Sequence, residues 1–124
     1  MMTKSIFRVI IAGSRCFNDY TTLQTTCDNI LSRKSMTHNI VIVSGTAKGA
    51  DTLGEKYARE RGYAVERFPA DWQQYGKVAG PIRNRQMANN ADALIAFWDG
   101  RSVGTNNMVM EAQKKGMAVR IYNI

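Results

Sequence analysis

Short runs of apolar, β-branched residues alternate along the chain with longer stretches whose apolar residues recur every three or four positions. Ile6 to Ala12, IFRVIIA, reads as a buried strand. From about Tyr20 to Lys34, the residues Tyr20, Leu23, Cys27, Ile30 and Leu31 fall at helical spacing, with Asp19 placed to cap them. Ile40 to Ser44 is a second buried strand, and Ala50 to Arg61 a helix ended by Gly62. Ala64 to Phe68 is a shorter strand, and the long loop PADWQQYGKVAG follows it. A helix then runs from Pro81, a residue tolerated at a first helical position, to about Asn90. Ala93 to Trp98 is a fourth strand, Thr105 to Lys115 a helix stopped by Gly116, and Met117 to Tyr122 a fifth strand.

Strands alternating with helices over the whole length predict one α/β domain spanning residues 1–124. Near-continuous apolar strands belong to sheets covered on both faces, and crossovers between parallel strands are right-handed. The expected architecture is a three-layer Rossmann-like sandwich with a largely parallel sheet of about five strands. No repeat, low-complexity segment or linker breaks the pattern.

Composition narrows the setting. The chain of 124 residues is 44% hydrophobic and 22% charged, as in ordinary globular domains. No apolar run approaches the roughly 20 residues that cross a bilayer, so no membrane association is expected. The opening MMTKSIFRVIIAG flows into a glycine turn and reads as a first strand rather than a signal peptide. Cys16 and Cys27 make neither a disulfide framework nor a zinc site, which fits reduced thiols in the cytoplasm, and no metal is expected. A formal charge of +7 favours an anionic partner. The basic residues are scattered rather than gathered into a stripe or tail, which weighs against nucleic acid. His38 reads as a surface residue, and Met87, Met108 and Met110 as helix packing.

In open parallel sheets ligands bind outside the carboxyl ends of the strands. Those ends here carry GSRCFND, SGTAKGAD, the long loop to Asn84, and WDGRSVGT, whereas the opposite turns ERGY and KKGM are short and plain. SGTAKGAD is not a Walker A loop: three residues separate its glycines, and Lys48 precedes the second. Nor does GSRCFND carry a dinucleotide fingerprint. The features of a phosphate loop remain. Gly45 and Gly49 would let backbone approach a ligand, Ala50 opens a helix whose amides point outward, and Ser44 and Thr46 add hydroxyls. Asp51 would bond loop amides or a ligand hydroxyl. Arg15, after the first turn, and Arg83, opening the third long helix, could clamp phosphate. Trp72 and Tyr75 in the long loop could stack on a base, whereas Trp98 reads equally well as core.

VIIAGSRCFNDY, VSGTAKGAD, FPADWQQYGKVAGPIRNRQMA and ADALIAFWDGRSVGTNNM, in that order, resemble the SLOG (SMF/DprA–LOG-related) superfamily of Rossmann-like nucleotide-binding proteins, and its small stand-alone YspA-like members most. The resemblance maps the superfamily's glycine signature onto Gly45, Gly49 and Asp51, and its glycine-threonine element onto Gly104 and Thr105. One branch, the LOG phosphoribohydrolases, cleaves the N-glycosidic bond of nucleoside monophosphates. That branch is similar in using an arginine, matched by Arg83, and a glutamate after its Gly-Thr pair. Here Asn84 replaces a lysine, Asn106 and Asn107 follow Thr105, and the next acid is Glu111. Glycoside cleavage through an oxocarbenium-like state needs a carboxylate to stabilise charge or activate water, and an amide can orient a ligand but cannot serve as that base.

The resemblance therefore implies a binding module, sensing or sequestering a nucleotide or nucleotide-derived signalling metabolite related to ADP-ribose or NAD, with no obligatory cofactor. Phosphate would lie on the Gly45–Gly49 loop and on Gly104 and Thr105. Gly13, Ser14 and Arg15 would flank the ligand, as would Gly100; Arg83 and Asn84 would clamp it, and Asp71 to Tyr75 would shape a lid. The alternative is a nucleotide N-glycosidase with Arg83 in its site and Asp99, Asp71 or Glu111 supplying the carboxylate; nucleic-acid binding ranks below both. The superfamily also implies homodimers, although no interface is legible in the sequence.

Overall fold

A computed structural model describes residues 4–124. Strands β1 (Ser5–Gly13), β2 (His38–Ser44), β3 (Ala64–Arg67), β4 (Ala93–Trp98) and β5 (Ala118–Asn123) form one sheet in the order β3-β2-β1-β4-β5, parallel throughout. Between them run helices α1 (Tyr20–Leu31), α2 (Ala50–Arg61), α3 (Trp72–Tyr75), α4 (Ala79–Asn89) and α5 (Val103–Lys114). This is the Rossmann-like α/β architecture expected from the sequence.

The period of two along each strand sorts the core into two layers. Val9 and Ile11 on β1, Ile40 and Ile42 on β2, and Ile95 and Phe97 on β4 face α1 and α2. Ile10, Ala12, Val43, Leu94 and Ala96 face α4 and α5 across Met87, Met108 and Ala112. Each interior strand is thus apolar on both faces, which explains the unbroken runs read from the sequence. From β1 the chain turns to β2 on one side, whereas β4 adds on the other, so the crevice between loops that leave in opposite directions opens above β1 and β4.

The local signals hold with adjustments. Asp19 caps α1, its carboxylate accepting from the Thr22 amide at 3.1 Å. Gly62 ends α2 with φ +73°. The long loop is not wholly irregular: Asp71 caps the short α3 by accepting from the Gln74 amide at 3.1 Å, and a 3₁₀ turn, Gly76–Val78, leads into α4. α4 begins two residues before Pro81, which becomes its third residue. α5 begins at Val103 with Ser102 as its cap, rather than at Thr105.

Candidate functional site

The exit of β1 is bound into the protein. A side chain at Gly13 would strike the Phe97 carbonyl oxygen on β4. Ser14 is buried; its amide donates to that oxygen at 2.9 Å, and its Oγ accepts from the Asp99 amide at 3.1 Å. The Ser14 carbonyl in turn accepts from the amides of Phe17 at 3.1 Å and Ala50 at 3.4 Å. Gly13, Ser14 and Ala50 therefore lock the starts of three loops together, and Arg15, the next residue, is left exposed.

The loop after β2 is also folded around its own groups. Ser44 is fully buried, donating to Glu55 at 2.7 Å and accepting from the Thr46 amide at 3.1 Å, while Arg67 holds Glu55 at 2.9 Å. The space beside the two glycines, read in the sequence as room for a ligand, is taken by the chain. A Cβ at Gly45 would stand 2.8 Å from Asp51 Oδ2 and 3.0 Å from Arg83 Nη1, and one at Gly49 2.5 Å from the Arg15 carbonyl oxygen.

Asp51 is the carboxylate this loop wraps. It is buried in the first turn of α2 and accepts from the Ala47 amide at 3.1 Å. Burial pushes its pKa up to about 6, against the opposing pull of that hydrogen bond and of the positive charges on Arg83 and Arg15. The folded protein therefore holds the proton to higher pH than the unfolded chain does, and stability falls between about pH 4 and pH 6 and stays lower above. Asp51→Asn is expected to gain about 1–3 kcal/mol in denaturant melts at neutral pH and little below about pH 4. An equal change at both pH values would show that Asp51 is not the buried acid described.

Arg83 rises opposite Asp51 from the second turn of α4. Its Nη1 donates to the Gly45 carbonyl, and its Nε donates to Asn84 Oδ1 at 3.0 Å. Asn84 is buried and donates to the Gly104 carbonyl at 3.2 Å and to Asn107 Oδ1 at 2.9 Å. Asn84 thus orients the guanidinium and joins α4 to the first turn of α5. Nη2 of Arg83 has no acceptor among the described residues. Burial lowers the Arg83 pKa, yet a guanidinium stays protonated in proteins.

Three cavities meet at Arg83. The innermost, about 70 Å³, lies between Asp51, Arg83, Gly104 and Thr105, with Met87 and Met108 in its lining. A wider one, about 310 Å³, is bounded by Arg15, Thr46, Lys48 and the exposed Trp72. The third, about 240 Å³, lies beside Asp71, Tyr75 and Gln86. Arg15 and Ala47 border the first two. The result is a groove along the carboxyl edge of the sheet with a fixed guanidinium at its centre. Thr105 lines the inner cavity, but its Oγ1 is paired with Ser102 at 3.0 Å. The amides of Val103 and Gly104 belong to a helical first turn, which has no intrahelical acceptor.

The proposed carboxylates do not all reach this groove. Glu111 is buried on α5 between Arg85 at 3.4 Å and Lys114 at 3.5 Å, outside all three linings. Asp99 accepts from the amides of Arg101 and Ser102, both at 2.8 Å, which holds its pKa low and shapes the turn into α5. Gly100 is exposed beyond the linings. Asp71 borders the third cavity, but its Oδ1 caps α3. Asp51 alone among the acids lies at the inner cavity. Sequence reasoning missed Lys48, Ala47 and the two methionines; the spacing of Met87 and Met108 signals burial, and nothing local says that they back a cavity. Among the described residues no cluster suits a metal ion, and no helix is long and apolar enough to cross a membrane.

A parallel Rossmann-like sheet with glycine-rich exits gathered around a half-buried arginine defines the class to which comparison with known proteins also assigns this chain. It belongs to the YspA, cpYpsA-related SLOG family, whose profile matches residues 7–75. It is 42% identical over 118 residues to the gene 61 protein of Mycobacterium phage D29, covering 90% of this chain and 93% of the relative. Its fold is similar to that of DNA processing protein A from Streptococcus pneumoniae, with a TM-score of 0.71 and 20% identity over 94% of this chain. The same protein from Helicobacter pylori, described by its single-stranded DNA binding mode, gives a TM-score of 0.62 at 21% identity over 93% of this chain. The chain spans only 50% and 64% of those two structures. At such identities the likeness is one of fold.

Proposed function

We propose that the groove binds a nucleotide or nucleotide-derived metabolite, its phosphate on Arg83 and Arg15 and its base against Trp72. The observation that carries this reading is Arg83, a guanidinium fixed by the Gly45 carbonyl and Asn84 with Nη2 left for an acceptor at the meeting of three cavities. A charge-assisted fork of this kind suits phosphate oxygens. Trp72 borders the wider cavity together with both arginines and exposes half its surface, as a stacking platform requires. Family membership supports a nucleotide-related ligand and leaves its identity open; an ADP-ribose- or NAD-related signal that is sensed or sequestered fits a groove with room on both sides of the cation.

A second reading, single-stranded DNA, draws on the Helicobacter pylori protein of like fold and on the charge of +7. Calorimetry with nucleoside mono- and diphosphates, ADP-ribose, NAD and a short oligonucleotide, each at several salt concentrations, tests both. Small nucleotides are expected to bind with shallow salt dependence. Binding of the oligonucleotide alone, falling steeply with salt, would give the groove to nucleic acid. Chromatography of the same mixtures reads hydrolysis: base released by the native protein and not by Asp51→Asn would make the site an N-glycosidase rather than a binding module.

A further inference from the structure

The sheet is covered unevenly. Ala118, Arg120 and Tyr122 on β5 pair with Ala93, Ile95 and Phe97 and so share the face that α1 and α2 cover over β1, β2 and β4. Among the described residues no helix covers β5 on that face, where Ala118, Arg120 and Tyr122 are exposed. α1 instead leaves a cleft of about 170 Å³ between its last turn and the edge strand, floored by Phe7, Val9, Ala93 and Ile95 and walled by Ile30 and Ala118. Tyr122 stacks on Phe97 at 5.9 Å and remains exposed. Val9, Ala93 and Ile95 are buried at the bottom of the cleft, and the apolar surface left partly bare around it belongs to Phe7, Ile30, Ala118 and Tyr122. Sheets of wholly parallel strands ordinarily have both faces covered, so this strip calls for a cover.

Charge states what kind. Lys34 and Arg120 border the cleft, and among the described residues no acid does. Lys34 Nζ sits 4.7 Å over the Phe7 ring at the mouth. Residues 30–36 carry Arg33 and Lys34 without an acid, and residues 118–124 carry Arg120 without one. Asp28, the nearest acid on α1, is held by Arg61 at 2.6 Å and by Tyr57 at 2.7 Å on the α2 side. A second copy seated face to face would bring like charges together on a chain already at +7. We infer that this strip docks an amphipathic helix of a partner protein, with an apolar side chain in the cleft and acidic residues against Lys34 and Arg120. Burying an apolar anchor between complementary charges is the usual way such helices are recognised.

The test uses a labelled synthetic helix with leucine along one face flanked by glutamate, and the same helix with lysine in place of glutamate. Fluorescence anisotropy is expected to show the acidic helix binding and the basic one not. Arg120→Glu should weaken the acidic helix about tenfold and improve the basic one, with the melting temperature unchanged. NMR shifts on adding the acidic helix should fall on Phe7, Ile30 and Ala118. Equal binding of the two helices, binding of neither, or shifts elsewhere would overturn the inference. So would sedimentation showing a wild-type dimer that Ala118→Arg dissociates, which would give the strip to a second copy.

Discussion

Replacing Gly49 with valine is expected to cost the fold several kcal/mol, a far larger effect than a loop glycine outside the core would suggest. The residue sits at φ +78° and ψ −124°, a conformation that a side chain disfavours by about 1–3 kcal/mol. Its Cβ would also stand 2.5 Å from the Arg15 carbonyl oxygen and nearer still to that of Ser14. Relieving the overlap means moving the β1 exit off the start of α2, a further ~1–3 kcal/mol by analogy with overpacked cores. Together these approach half of a small domain's total stability of about 5–15 kcal/mol. Gly62→Ala separates the two causes. Its φ is also positive, at +73°, but nothing lies within 4 Å of its Cβ, so only the backbone contribution of about 1 kcal/mol remains. Chemical denaturation of both variants checks this. A Gly49→Val protein as stable as the wild type would mean that the two loops are not packed as described.

Gly49 also marks the boundary of what the sequence discloses. That SGTAKGAD leaves a strand and opens a helix is legible from its pattern, because a buried run must end where polar turn residues begin. That the loop from Gly13 to Arg15 lies against Gly49 is not legible. It follows from β1 and β2 being neighbours, with the β1 exit folded back over α2, and pattern alone does not specify strand order. The same ignorance assigned Ser44 and Ala50 to a ligand, when neighbouring elements consume their hydrogen bonds. Glu111 was a candidate because it is the next acid after the Gly-Thr pair. Packing α4 against α5 buries it between Arg85 and Lys114. The helix starts were misplaced for a local reason. Pro81 is harmless anywhere among the first residues of a helix, where amides have no intrahelical acceptor, so it does not mark the first position uniquely. The placement of Arg83, by contrast, was legible, since a cation near the start of a helix that follows a strand exit stands at the carboxyl edge of the sheet, where it lines the groove.

Arg83→Ala is then the substitution with the largest expected effect on binding, about 10- to 100-fold weaker for a phosphate-bearing ligand if the guanidinium supplies one charge-assisted pair of about 1.5–3 kcal/mol. Two consequences of the change must be kept apart. Arg83 also holds the Gly45 carbonyl and opposes the raised pKa of Asp51, so its loss leaves a buried carboxyl still harder to ionise and the protein less stable above about pH 6. Pairing it with Asp51→Asn removes that second effect. The double variant is expected to regain stability at neutral pH and to remain as weak in binding as the single one. Arg83→Lys keeps the charge but not the fork, and should recover only part of the affinity. Calorimetry of ligand binding beside denaturant melts at two pH values resolves the set. If the double variant recovers both stability and affinity, the arginine served only to neutralise Asp51, and the groove's phosphate site lies elsewhere. If neither affinity changes from the wild type, the three cavities that meet at Arg83 are not where the ligand sits.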